Sequence, residues 1–472
     1  MKVWLINPRT EGMISTELPS FVSKEVGCFP PLGLLYVAGC VREHSSHELT
    51  LIDMPARDMS YEELARRVGA DSPDVVGITG TTHNLAEVRL AAETVKSVSA
   101  DITVCLGGPH VDAFPEQALA LACLDVAIRG EGEVAFVQYL EALEAGAGFE
   151  GVSGLIYRSK DGIKSKPPAA LLPDLDALPY PARDLLNPAD YCYVLGKKST
   201  FTTILTTRGC PYRCIFCSTP HGTCRLRTPD SIVDEMESCL KQGAEEIHFI
   251  DDTFNIRPGR IQAVAEEILK RGLKVRWSFR GRVDTIDAES LRIARRAGCE
   301  RIHYGIETGT DEGLTVLRKQ ITTEQARHAL ELTRKAGITT VTYFIIGCPH
   351  EHRMQDILRT VNFAIRINPD FAMFNVLAIY PHTELFDMAV ARGLIDDQLW
   401  SGFVTDPTPD FRMRFWDEFF DAEELAGFLK LCYRKFYLRP RVVWRNLKQL
   451  GSWGELRHKA AAAVALLKGN EA

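Results

Sequence analysis

Short apolar runs alternate with helix-period segments along most of this chain, and that alternation leaves few folds open. Val3–Ile6, Leu49–Ile52, Val75–Ile78, Thr103–Leu106 and Leu124–Ile128 read as strands. Between them, Leu32–Val41, Tyr61–Val68, Asn84–Val98 and Glu133–Leu143 read as helices. A strand that is apolar on both faces must be covered on both, and parallel neighbours need a crossover long enough to hold a helix. Residues 1–145 are therefore expected to form a doubly wound parallel α/β sheet, with ligands at the carboxyl ends of its strands.

From Gly151 to Lys198 the pattern breaks. The stretch RSKDGIKSKPPAALLPDLDALPYPARDLL is rich in proline and polar residues, so residues 146–198 are expected to be an ordered linker. A second series follows, with strands at Thr203–Thr206, Glu246–Ile250, Val275–Phe279, Arg301–Tyr304, Thr339–Ile346 and Phe371–Leu377. They alternate with helices at Pro229–Lys241, Arg260–Arg271, Ala288–Ala297, Thr323–Ala336 and Met354–Ile367. Six β-α units fall short of the eight that close a TIM barrel, which predicts a partial (β/α)6 barrel over residues 199–390. A helical C-terminal region, 391–472, completes the chain.

At 472 residues, several cores are expected rather than one. A composition of 46% hydrophobic and 25% charged residues is that of a globular protein. Net charge −7 argues against a nucleic-acid partner. No apolar run is long enough to span a bilayer, and MKVWLINP reads directly as a strand, so neither membrane span nor cleaved leader is expected and the location reads as cytoplasmic.

Thirteen cysteines in such a chain point to metal or thiol chemistry rather than a disulfide framework. Cys40, Cys105, Cys123, Cys239, Cys299 and Cys432 sit singly in apolar patterns and read as small buried hydrophobes. Cys210, Cys214 and Cys217 are different: TTRGCPYRCIFCST places them at C-x3-C-x2-C spacing directly after the first barrel strand. Zinc favours four ligands from paired knuckles, and no second CxxC exists in the chain. A [4Fe–4S] cube has four irons, so three thiolates leave one iron open to a small molecule. Cys224 is a conceivable fourth ligand, but it lies past Pro220 and Gly222 in another part of the loop. A plain electron carrier would cover all four irons, which counts against an electron-transfer or carrier module.

C-x3-C-x2-C after the first strand of a (β/α)6 series resembles the radical S-adenosylmethionine (SAM) superfamily, over most of residues 200–390. The resemblance implies a [4Fe–4S] cluster on Cys210, Cys214 and Cys217, whose open iron is chelated by SAM, and cleavage of SAM to a 5′-deoxyadenosyl radical. Phe216, before the third cysteine, fits the family. Asp251 and Asp252 end the second strand and are candidates for the SAM ammonium; Arg280 and Arg282 suit a carboxylate or ribose oxygen; Glu307 in GIETG suits a ribose hydroxyl. Gly347, in FIIGCPHE, resembles the family's backbone cradle for adenine. His350 and His382 stand where relatives carry glycine, and either is a substrate-side acid/base or a surface loop residue.

A doubly wound domain ahead of such a barrel resembles the cobalamin-binding radical SAM enzymes, implying a flavodoxin-like (Rossmann-like) cobalamin domain. The matching stretches are INP with Pro8, FPPLGLLYVAG, VGITGTT with Thr79, Thr81 and Thr82, LGGPH with Gly107, Gly108 and His110, and IRGEGE with Gly130 and Glu131. Glycines there let a bulky flat ligand approach the backbone. Domains that ligate cobalt through histidine carry D-x-H-x-x-G, whereas this chain reads DMPARD at Asp53–Asp58. His83 and His110 lack the register, so the lower cobalt face is expected to carry no histidine.

The resemblance implies methylation of an unactivated carbon in a secondary metabolite, lipid or tetrapyrrole, with radical cyclisation or rearrangement as the alternative. It also implies a small-molecule substrate and an external electron donor of flavodoxin or ferredoxin type. The basic segment Tyr433–Ala472 carries +7 against −14 elsewhere; it reads as a barrel cap with a solvated face, or as a contact for an anionic substrate or membrane surface.

Overall fold

The computed structural model describes residues 1–14, 27–193, 200–219 and 222–442. The basic residues Arg445, Lys448, Arg457, Lys459 and Lys468 lie outside the described residues.

The first sheet comprises β1 (Lys2–Asn7), β2 (Glu48–Asp53), β3 (Val75–Thr79), β4 (Thr103–Gly107), β5 (Val126–Ile128), β6 (Leu155–Ser159) and β7 (Gly162–Ser165), in the order 2-1-3-4-5-6-7. Strands β1 to β5 are parallel, as their two-sided apolar character requires. Helices α1 (Leu32–His44), α2 (Tyr61–Asp71), α3 (Leu85–Val98), α4 (Pro109–Ala113) and α5 (Gly132–Glu144) supply the crossovers. The expected linker 146–198 differs at its start: β6 and β7 form an antiparallel hairpin that extends the sheet. The hairpin is closed by the two-residue turn Lys160-Asp161, and Gly162, which pairs with Ser159 just after it, sits at φ 110°, a conformation that favours glycine.

The second sheet holds β8 (Phe201–Ile204), β11 (Glu246–Phe249), β12 (Arg276–Gly281), β13 (Cys299–Glu307), β14 (Thr339–Ile346) and β15 (Phe371–Val376); a short ladder, β9 (Thr207–Arg208) with β10 (Arg225–Leu226), stands apart. Its spatial order is 15-14-13-12-11-8, all parallel, so the barrel is open between β15 and β8. Helices α6 (Pro229–Lys241), α7 (Arg260–Lys270), α8 (Ala288–Arg296), α9 (Asp311–Val316), α10 (Thr323–Lys335) and α11 (Met354–Ile367) follow in alternation with its strands. Outward Phe249, Trp277 and Phe279 pack with Phe254. On the alternate row a polar belt spans four strands, β11 to β14: His248 Nδ1 meets Ser278 at 2.9 Å, and His303 meets Tyr343 and Tyr193 at 2.9 Å each.

After α12 (Glu384–Ala391) and α13 (Leu399–Thr405), α14 (Ala422–Tyr437) covers the free edge of β15. Tyr433 and Tyr437, one helical turn apart, each use the hydroxyl to accept from and donate to one residue of that edge, Phe374 and Ala372 respectively. An exposed edge strand is a template for unwanted pairing, and here side chains occupy it.

Candidate functional site

The three cysteines lie inside the hairpin that β9 and β10 close, together with Cys224 at its neck. Gly209 turns the chain into the loop at φ 85°, and a Cβ there would lie 2.8 Å from the Thr223 carbonyl oxygen, so only glycine fits. Inside the loop, Cys217 N donates to Cys214 O at 3.1 Å, Gly222 N to Cys210 O at 3.2 Å and Ile215 N to Leu317 O at 3.3 Å. Phe216 packs against a small cluster with Ile215, Leu317 and Leu377. All four thiols are free; Cys214 is buried and the others half-buried. Among the described residues, no three ligating side chains stand at metal-binding spacing around one point. The donor chemistry nevertheless fits an iron–sulfur cluster: three unpaired soft thiols on one turn, with no hard oxygen ligand among them.

The rim residues divide into those that face the barrel mouth and those with structural duties. Asp251 is a correction. It is fully buried and accepts from Thr206 N at 2.6 Å, Thr207 N at 2.8 Å and the Thr206 hydroxyl, so it fastens the strand that launches the cysteine hairpin rather than meeting a ligand. Burial pushes its carboxyl up to about 6. Asp252, the next residue, is exposed. Burial raises its carboxyl against the opposing field of Arg280, which is also exposed at the end of β12. Arg282 is a second correction: it is buried, pairs with Asp284 at 2.9 Å, donates to the carbonyls of Lys319 and Gln320, and covers the ring of Tyr212 at 3.5 Å. It braces the cysteine loop and is not free for a carboxylate.

Glu307 ends β13 with φ 74°, a strained conformation for a non-glycine residue, and pairs with Lys319 Nζ at 2.7 Å. Lys319 escaped the sequence reading because no motif surrounds it. Its neighbours Arg318 and Gln320 also have positive φ, at 51° and 55°, so strain clusters here. Burial opposes the charge of Lys319, yet the Glu307 carboxylate prevails and raises its pKa. Gly347 turns at φ 73°, and Glu351 beneath that turn accepts from Cys348 N at 2.9 Å. Burial pushes the Glu351 carboxyl up to about 7. His350 sets Nε2 3.3 Å from the Thr308 hydroxyl and is half-buried, with its pKa lowered by burial. His382 is exposed at φ 58°, its ring 4.8 Å from that of Phe114.

At the carboxyl edge of the first sheet, Pro8 is buried, and Thr81 caps a short turn through Asn84 Oδ1 at 2.7 Å. Gly108 has φ 98°, and a Cβ there would stand 2.8 Å from the Gly80 carbonyl oxygen and 3.0 Å from the Thr79 hydroxyl. A Cβ on Gly107 would meet nothing within 4 Å, which leaves the open approach a broad flat ligand needs. Thr82 and His110 are corrected: they satisfy each other at 3.1 Å, and burial pushes the imidazole down to about 4. Gly130 turns at φ 87° and donates to Asp112 at 2.8 Å. Glu131 is corrected too, since its carboxylate is taken by Arg225 at 2.5 and 3.0 Å and by Arg208 at 3.1 Å. Asp53 is buried and accepts from Asn7 and the Tyr191 hydroxyl at 2.8 Å each; Pro55, two residues on, offers no metal ligand. The open glycine edge and exposed threonine fit a corrin ring, while the DMPARD turn does not fit a cobalt-ligating histidine.

The two carboxyl edges face one another. His83 from the first sheet meets Tyr380 and Trp400 from the barrel side at 5.1 and 6.2 Å, Phe114 meets His382, and Arg89 pairs with Asp406 at 2.8 Å. Comparison with known proteins agrees with this arrangement. The Radical SAM superfamily model matches residues 204–364, and the B12 binding domain model matches residues 21–140. An uncharacterized methyltransferase of Pyrococcus horikoshii is 32% identical over 95% of both chains. The anaerobic magnesium-protoporphyrin IX monomethyl ester cyclase of Cereibacter sphaeroides is 30% identical over 89% of this chain and 69% of its own. The solved cobalamin-dependent S-adenosylmethionine radical enzyme OxsB superposes with TM-score 0.74 at 17% identity, covering 98% of this chain and 71% of that one. With both domain models matched in this order and a relative this similar across nearly its whole length, the chain belongs to the cobalamin-binding radical SAM enzyme family.

Proposed function

We propose that this protein is a C-methyltransferase that acts on an unactivated carbon of a small molecule, with the substrate held between the two facing edges. The observation that carries the reading is that both carboxyl edges meet, so the cysteine hairpin and the glycine edge of the first sheet open toward a common space. The methyltransferase name of the relative that spans the chain supports it. When bound, the reduced cluster supplies the electron that splits SAM into methionine and a 5′-deoxyadenosyl radical, and methylated cobalamin supplies the methyl group.

The chain's own residues do the rest. Cys210, Cys214 and Cys217 hold the cluster. Asp252 and Arg280, exposed and of opposite sign, suit the zwitterionic methionine end of SAM. The Gly347 turn offers backbone to adenine, and Phe216 backs the cysteine loop. Thr79, Thr81, Gly107 and Gly130 present the first sheet's edge to the corrin. His382, exposed at the barrel rim, can take or give a proton at the substrate, while His350 is half-spent on Thr308. Electrons come from an external donor of flavodoxin or ferredoxin type.

Anaerobically reconstituted enzyme given SAM and dithionite is expected to form 5′-deoxyadenosine well above the Cys210→Ala variant. Equal amounts would sink the reading. Radical cyclisation is the second reading, favoured by the cyclase relative. Methyl transfer releases S-adenosylhomocysteine alongside 5′-deoxyadenosine, whereas cyclisation releases 5′-deoxyadenosine alone, so the product ratio separates them.

A further inference from the structure

In the short ladder that closes the cysteine loop, Arg208 stands directly opposite Arg225. Two like charges across a ladder repel, and these two side chains are only 14% and 10% exposed, so water screens them poorly. The neutralising charge comes from the other domain. Glu131 grips Arg225 with both oxygens and reaches Arg208 at 3.1 Å, and Glu133 pairs with Arg208. Both glutamates are themselves largely buried. The same knot ties in the connecting segment: Arg225 donates to Leu172 O at 2.7 Å, and Leu172 N donates to Glu131 at 3.3 Å. From α1, the ring of Tyr36 lies under the Arg208 guanidinium at 5.6 Å.

We propose that Glu131 and Glu133 are positioning residues that clamp the neck of the cysteine loop, so that the loop takes its cluster-holding shape only against the docked first domain. This rests on the reading of Cys210, Cys214 and Cys217 as cluster ligands. The GEGE stretch after β5 then has a physical duty: it delivers two carboxylates to a pair of guanidiniums that cannot close a hairpin alone. The cluster loop and the edge of the first sheet become one mechanical unit.

The test uses the full chain, reconstituted anaerobically, with iron and sulfide per chain and the EPR spectrum of the reduced cluster as readouts. In the E131Q/E133Q variant the neck keeps two unneutralised arginines. Cluster content is expected to fall at least threefold, and the residual EPR signal to change shape. Adding R225Q to that variant removes the repulsion and is expected to restore most of the cluster; a merely structural loss of packing would not be rescued by deleting a third side chain. Wild-type cluster content and an unchanged spectrum in E131Q/E133Q would overturn the clamp. If that variant does not fold, E131Q alone is compared with E131Q/R225Q, and failure of the arginine change to restore cluster would overturn it equally. A wild-type protein that binds no cluster would instead overturn the cluster assignment, so the two failures are distinguishable.

Discussion

Replacing Asp251 by alanine strands two buried backbone N–H groups, Thr206 and Thr207, at the strand end that leads into the cysteine hairpin. An orphaned buried donor costs ~1–3 kcal/mol, so the pair implies about 2–6 kcal/mol of lost stability. The Thr206 hydroxyl adds less, because it can rotate and already receives Arg260 at 3.0 Å. Asparagine is a different case. Both backbone bonds end on the same oxygen, Oδ1, which asparagine keeps. The substitution also removes a titration: burial holds the Asp251 carboxyl at about 6, above the ordinary carboxylate range. An acid with a raised folded pKa favours the native state fully at low pH and loses that advantage as pH rises through the folded value. Ionised Asp251 therefore costs roughly 3 kcal/mol above pH 7, a cost that asparagine does not carry. The expected result is Asp251→Ala less stable than Asp251→Asn by about 2–6 kcal/mol at both pH 5 and pH 8, and Asp251→Asn gaining a further ~1.4 kcal/mol on wild type between those two pH values. Urea unfolding midpoints at the two pH values, with unchanged slopes, measure this, and iron per chain reports whether the hairpin still forms. An alanine variant within ~1 kcal/mol of the asparagine variant and with full iron content would refute the reasoning, given the size expected for two orphaned donors.

Two further outcomes follow from the buried groups. His110, His248 and His303 are held neutral by burial, with His110 pushed down to about 4 and His248 to about 3. Their contribution is complete above pH ~6.5 and is lost as pH falls toward the folded values, each by up to ~1.4 kcal/mol per pH unit. His110→Gln is expected to flatten the pH 6.5–5 stability profile by about that slope, and subtracting the two profiles cancels the opposing titrations of Asp251 and Glu351. Tyr433→Phe and Tyr437→Phe each remove a hydroxyl that occupies the free edge of β15, so each should cost ~1–2 kcal/mol in the unfolding midpoint and the double variant should aggregate sooner.

Much of the fold was legible because apolar runs and helix periods are local signals. Val75–Ile78, Thr339–Ile346, Pro229–Lys241 and Met354–Ile367 stand within one residue of their expected bounds. The hairpin β6–β7 was legible too, in the Lys-Asp-Gly run of RSKDGIKS, but the surrounding prolines masked it. The site was less so. Asp251 and Asp252 are adjacent and chemically alike, yet just past the end of β11 one turns inward onto the Thr206 and Thr207 backbone and the other stays exposed. Arg280 and Arg282 divide in the same way, one exposed and one locked on Asp284 and Tyr212.

The sequence by itself determined the two α/β series, the cysteine triplet with its glycine turn, and the missing histidine in DMPARD. Each depends on neighbours within a few residues. Only the tertiary structure decided which charges are free. Lys319 finds Glu307 across 12 positions, and Glu131 finds Arg225 across 94. A side chain's partner depends on which strands lie side by side and which edges face each other, and that information enters only when the two sheets are brought together.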